Sequence, residues 1–152
     1  MKAKASPKSI LQFTPKQALL RAGLAINATF SVLCAVIMLA YGQQLAALMG
    51  QINPLLLQII GFSLLLFACE LVLQISKRRL STLRALIISV MDVGWVLASL
   101  VLLVFFPGLL TGSGAVIVSL VAAVVLLCSF LQLLGINRIH AAPERKTYRA
   151  RK

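Results

Sequence analysis

Two carboxyl groups stand where a carboxyl is costly. Glu70 and Asp92 lie inside long apolar stretches of a 152-residue chain that has only 3 acidic residues in all. An acidic side chain at the centre of a membrane helix costs about 2.5 to 3.5 kcal/mol on insertion scales, so such residues turn inward and mark candidate functional sites. If the stretches that carry them form an antiparallel hairpin turning near Ser81, both lie eleven positions from the turn and stand side by side. Lys77 and Arg84 can snorkel outward, which leaves no basic side chain at that depth, and neutralisation by protonation is expected. A pair sharing one proton is one way to build a proton-coupled transport site. The plainer alternative is that each carboxyl bonds a neighbouring helix and fixes the packing.

Other polar residues fall at helical spacing around this pair. Asn27, Ser31 and Cys34 recur at steps of four and three, as do Ser63, Phe67, Glu70 and Gln74, then Ser89, Asp92, Val96 and Ser99; Ser129 and Gln132 complete the set. Residues at these steps share one helix face, so each apolar stretch offers a polar stripe to a common interior. The expected cluster is Asn27, Glu70, Gln74, Ser89, Asp92, Trp95, Ser129 and Gln132, with the Trp95 indole N–H within reach of Asp92. Gly94 and Ala98, with Ala115, Ser119 and Ala123, follow the small-xxx-small pattern that lets membrane helices approach closely. They are expected to pack the third stretch on the fourth, or to mediate self-association.

The elements that position these residues are set by charge. All 15 Lys and Arg residues fall in segments 2–21, 77–84 and 138–152, while connections 41–54 and 106–113 carry no charge. Lys and Arg of short loops stay cytoplasmic, and a span needs about 20 apolar residues. The expectation is a single all-α transmembrane domain over 1–152: a four-helix bundle with spans near 22–40, 55–75, 85–106 and 115–136. Its basic tails, 1–21 and 137–152, both lie in the cytoplasm, which makes it a multi-pass protein of the cell (inner, cytoplasmic) membrane. A cleaved signal peptide is disfavoured because the first apolar stretch outruns the roughly 7–15 residues of an h-region. A net charge of +12 is explained by topology without nucleic-acid binding. In the last segment Arg138, Arg145, Lys146, Arg149, Arg151 and Lys152 can contact anionic headgroups at about 1 kcal/mol per basic residue, or dock a partner.

Composition narrows the chemistry. With 61% hydrophobic and 12% charged residues, the chain is far from a soluble balance of about 25% charged. Cys34, Cys69 and Cys128 fall in three different spans without a Cys-x-x-Cys pair, so neither a dithiol centre nor a zinc site is expected. His140, the only histidine, lies beyond the last span, which excludes a bis-histidine haem inside the bundle. No cofactor, metal or catalytic residue is expected, nor enzymatic activity.

Residues 92–99 (DVGWVLAS), the turn at 112–114 (GSG), 132–135 (QLLG) and 27–30 (NATF) together resemble a group of small bacterial four-span membrane proteins to which no activity is assigned. The resemblance runs from Asn27 to Gly135 and implies the four-span architecture and a bacterial source. Length and span count are also similar to the small multidrug resistance family. That family carries its essential Glu in the first span, where this chain has Asn27, and its dual-topology members need a weak Lys/Arg bias that is absent here. A four-span glutathione-transferase-like membrane enzyme would need an Arg-, Glu-, His- and Asn-rich motif where residues 67–74 read FACELVLQ.

Two function classes remain. One is a non-enzymatic accessory or interaction subunit that docks on a larger membrane complex; assembly into a homo-oligomer is open to either class. The other is a small proton-coupled transporter that uses the intramembrane carboxylate pair.

A faint duplication is also legible. Leu20-Arg21-Ala22 recurs as Leu83-Arg84-Ala85, and Cys69, Gln74 and Arg78 as Cys128, Gln132 and Arg138.

Overall fold

The structure is a computed structural model, which describes residues 15–50, 52–77 and 80–140. Five helices follow in order: α1 (Pro15–Ala40), α2 (Gly42–Met49), α3 (Pro54–Ser76), α4 (Thr82–Phe105) and α5 (Gly112–His140). All but α2 are long and apolar enough to cross a membrane, over Gln17–Ala40, Pro54–Ser76, Thr82–Phe105 and Gly112–Ile139. The expected four-helix membrane bundle is therefore present. α1 and α5 run about one to two turns beyond the apolar cores expected at 22–40 and 115–136, since basic residues such as Arg21 and Arg138 can continue a helix into the headgroup layer.

Burial is inverted relative to a water-soluble fold. Asn27, Ser31, Gln74, Ser89, Asp92, Ser99, Ser129 and Gln132 are buried, while Leu66, Phe62, Val90, Leu120 and many similar side chains are more than half exposed. A soluble protein rarely shows a contiguous apolar surface on this scale. In hydrocarbon the same surface costs nothing, and the unmatched polar groups must instead find partners inside. Hydroxyls that do face outward bond their own helix: Ser63 donates to Ile59 O at 2.9 Å and Ser119 to Ala115 O at 2.8 Å, the i−4 back-bond open to Ser and Thr within a helix.

Local chemistry starts and stops the helices. Asn53 caps α3 by accepting from Leu55 N at 2.9 Å, with Pro54 at the first helical position, where its missing N–H has no cost. Ser81 caps α4. Thr111 Oγ1 accepts from Gly114 N at 3.0 Å at the start of α5.

Connection 41–54 was expected as a plain uncharged loop and instead contains α2. Its Leu45, Ala46 and Met49 pack against Leu57 of α3 and Ile117 and Val118 of α5, so apolar burial makes a helix of a segment too short to be stable alone. Its end is latched to the other uncharged loop. Thr111 N donates to Met49 O at 2.8 Å, and the Thr111 and Ser113 hydroxyls donate to Leu48 O at 2.6 and 3.1 Å. Gly50, at φ 125°, lies so close that an added Cβ would stand 2.7 Å from Leu109 O, which restricts the position to glycine.

The long helices pack as α3 on α1, α1 on α5 and α5 on α4, whereas α3 and α4, though consecutive, meet only marginally. The expected side-by-side hairpin of Glu70 and Asp92 is thus corrected. α1 and α5 form the middle of the bundle, and the two outer helices leave a fissure between them. A symmetric duplication of hairpins would match the α1–α5 contact with an equivalent α4–α3 contact, which the packing lacks.

Glycine sets the tight crossings. A Cβ at Gly135 would lie 2.8 Å from Leu20 backbone atoms, and one at Gly61 3.2 Å from Ala35 O. The small-residue stripe expected to join the third and fourth spans does not do so. Gly94, Ala98, Ser119 and Ala123 are exposed, Ala115 is half-buried, and a Cβ on Gly94 would meet nothing within 4 Å. The i,i+4 spacing of small residues marks a face; which way the face turns is decided by the polar stripe opposite it.

Candidate functional site

Asp92 is buried on the inner face of α4 and is held from two other helices. Asn27 Nδ2 of α1 donates to its Oδ2 at 2.7 Å and Gln132 Nε2 of α5 to the same oxygen at 3.0 Å. Ser89 Oγ lies 3.1 Å from Gln132 Oε1 and 3.0 Å from Ala85 O, so the two acceptors share its one proton, and Ser129 Oγ donates to Ser89 O at 3.3 Å. Ser31 Oγ lies 3.5 Å from Asn27 Oδ1. The chain of donors spans α1, α4 and α5, and ties the middle pair of helices to one outer helix. Interhelical bonds of this kind average about 0.6 kcal/mol each. Their larger effect is to fix the carboxamide and carboxyl orientations, because a broken bond would leave a buried polar group unpaired.

Five of the eight residues expected in the polar cluster, Asn27, Ser89, Asp92, Ser129 and Gln132, are joined in this network. Three are not. Glu70 is half-exposed and its Oε1 lies 3.3 Å from Arg84 Nη1, so Arg84 does not snorkel away: it reaches across the mouth of the fissure to α3. This separates the two carboxyls into different settings and corrects the proton-sharing pair. Gln74 is fully buried but donates to Ser81 O at 2.8 Å, closing the turn between α3 and α4. Trp95 forms part of a cavity wall, and the hydrogen bonds to Asp92 come from the two carboxamides instead of the indole.

The cavity has a volume of about 270 Å³ and lies between all four long helices. Asn27, Ser31, Cys34 and Asp92 supply its polar side; Phe30, Met38, Phe67, Met91 and Trp95 supply much of the rest. A second space of about 460 Å³ occupies the fissure, bounded by Leu66, Glu70, Arg84 and Ile87, and shares Ser63, Phe67 and Met91 with the first. Those three residues line both the surface cleft between α3 and α4 and the space beside Asp92.

The faces of the bundle are closed in different ways. On the uncharged face, α2 and its latch cover the helix ends. On the basic face Arg21 of α1 donates to Ile75 O and, at 2.6 Å, to Lys77 O, thereby capping the end of α3. This role of Arg21 was missed from the sequence, as were the tight glycines Gly61 and Gly135; a lone glycine in mid-span and a basic residue at the span boundary are the signals that carry them. Arg138 is exposed at the end of α5, and Arg145, Lys146, Arg149, Arg151 and Lys152 lie outside the described residues.

No family model, curated protein or solved structure matches this chain.

Proposed function

We propose that this protein is a small proton-coupled membrane transporter in which Asp92, and not a pair of carboxyls, is the group that exchanges a proton for substrate. The observation that supports it is a carboxyl oriented by Asn27 and Gln132 on the wall of a cavity that shares Ser63, Phe67 and Met91 with the α3–α4 fissure. A carboxyl used only as packing glue needs no cavity beside it. In the exchange the Asp92 O–H bond breaks, the proton leaves, and the carboxylate that remains takes up a substrate group. The basic face is proposed to be cytoplasmic, by the retention of Lys and Arg on that side, in the inner membrane of a bacterium.

A second reading, an accessory subunit of a larger membrane complex, draws on one observation: Gly94, Ala98, Ser119 and Ala123 leave low-profile exposed faces on α4 and α5, suited to close approach of another helix. Native mass spectrometry of the gently extracted protein separates the two. Transport is supported by a monomer or homo-oligomer that retains a small molecule, and by loss of that molecule in Asp92→Asn. A stoichiometric larger protein partner, with no small molecule retained, overturns it in favour of the subunit.

A further inference from the structure

We propose that the cavity beside Asp92 is a binding site for a small lipophilic organic cation, an aromatic or alkyl ammonium compound, which reaches it from the bilayer between α3 and α4. The inference rests on the transport reading and specifies its substrate.

Charge comes first. Both donors to Asp92 end on Oδ2, and no hydrogen bond among the described residues reaches Oδ1. No Lys or Arg among the described residues bonds or ion-pairs with this carboxyl: Arg84 faces Glu70, and Arg21 reaches the carbonyls that end α3. A carboxylate in an apolar setting takes a cation when one is offered. An organic cation fits better than a metal ion, since no group of three His, Cys, Asp or Glu side chains suited to a metal occurs among the described residues.

The remaining walls suit the same class. Phe30, Phe67 and Trp95 all border the cavity that holds Asp92, and aromatic faces attract ammonium groups, Trp most strongly. Thioethers of Met38 and Met91 complete soft, polarizable walls. Size sets the upper bound. Pockets for drug-sized ligands run from about 300 to 1,000 Å³, so a cavity of about 270 Å³ takes one ring with a compact ammonium head.

The route follows from the packing. α3 and α4 meet only marginally, and Ser63, Phe67 and Met91 are common to the fissure and the cavity. A molecule dissolved in the bilayer passes these three side chains to reach Asp92 without crossing a closed helix contact. Glu70 at the fissure mouth adds a negative group beside that path, held by Arg84.

The chain contains a single tryptophan, and it borders the site. Trp95 emission in lipid nanodiscs therefore reports occupancy directly. Two probes of nearly identical shape are compared, phenyltrimethylammonium and its uncharged isostere tert-butylbenzene, with free concentrations expressed in the bilayer phase. The expected result is a saturable change in Trp95 emission with the cation at roughly tenfold or more higher affinity than the isostere, from charge pairing and cation–π attraction together. Asp92→Asn is expected to lose most of that preference, keeping only the part that cation–π attraction supplies, while still binding the isostere. Equal affinity for both probes in the wild-type protein overturns the cation proposal and leaves the transport reading standing. Absence of a response to either probe overturns the access route and the transport reading with it. The probe comparison uses the wild-type chain, so its outcome holds even if Asp92→Asn does not fold.

Discussion

Gly135 is the position where one added carbon tests the packing most sharply. A Cβ built there stands 2.8 Å from the Leu20 N, Cα and Cβ atoms of α1. No flexible side-chain end can yield, so α5 must move away from α1. Overpacking of this kind costs about 1–3 kcal/mol, against a helix-propensity gain of up to about 1 kcal/mol for Gly→Ala. The net expectation for Gly135→Ala is a loss of about 1–2 kcal/mol. The displacement also pulls on Gln132, less than one turn away, whose carboxamide bonds Asp92 at 3.0 Å. Gly94→Ala is the matched control, because its Cβ meets nothing within 4 Å; it is expected to be neutral or slightly stabilising. Unfolding of both variants in bicelles, followed by circular dichroism and Trp95 emission, measures the difference. Equal stability of the two variants, or a larger loss at Gly94, would refute the assignment of the α1–α5 crossing to Gly135.

Gly50→Ala is expected to destabilise by about 1–3 kcal/mol, since it adds a side chain at positive φ against the Leu109 carbonyl; unfolding in the same bicelles checks it, and a neutral result would remove the latch between the two uncharged loops. The Glu70–Arg84 pair has side chains about half exposed, so a double-mutant cycle through Glu70→Gln and Arg84→Gln should give a coupling below about 1 kcal/mol. Asp92→Asn keeps an acceptor for Asn27 and Gln132, whereas Asp92→Leu leaves both carboxamides without their shared acceptor and should cost more, by about 1–3 kcal/mol in the same unfolding measurement.

The architecture is legible from charge placement because hydrocarbon allows few alternatives: a chain with apolar stretches of span length separated by loops must close its backbone hydrogen bonds within helices. Asn27, Ser89, Asp92, Ser129 and Gln132 were legible as a cluster for a related reason, since a buried polar side chain in lipid must face another. Glu70 and Gln74 shared the same periodicity but sit nearer the boundary, where Arg84 and the Ser81 carbonyl are within reach. Periodicity gives the face of a helix and says nothing of how far a long basic side chain bends to meet it. The open side between α3 and α4 was hidden because the short turn between them suggests a packed hairpin, and only the competing contacts of α1 with α3 and α5 show that the pair is splayed. Gly94 and Ala98 misled by the converse route: small residues allow close packing without requiring it.

The central claim, that Asp92 alone exchanges a proton for a cationic substrate, is tested most directly in proteoliposomes with an acidic lumen and an enclosed pH-sensitive dye. Phenyltrimethylammonium is added outside, and proton efflux is compared among wild type, Asp92→Asn and Glu70→Gln. The expected result is cation-dependent efflux in wild type and Glu70→Gln, and none above protein-free liposomes in Asp92→Asn. Efflux that survives Asp92→Asn, or that is lost in Glu70→Gln with the fold intact, would contradict it.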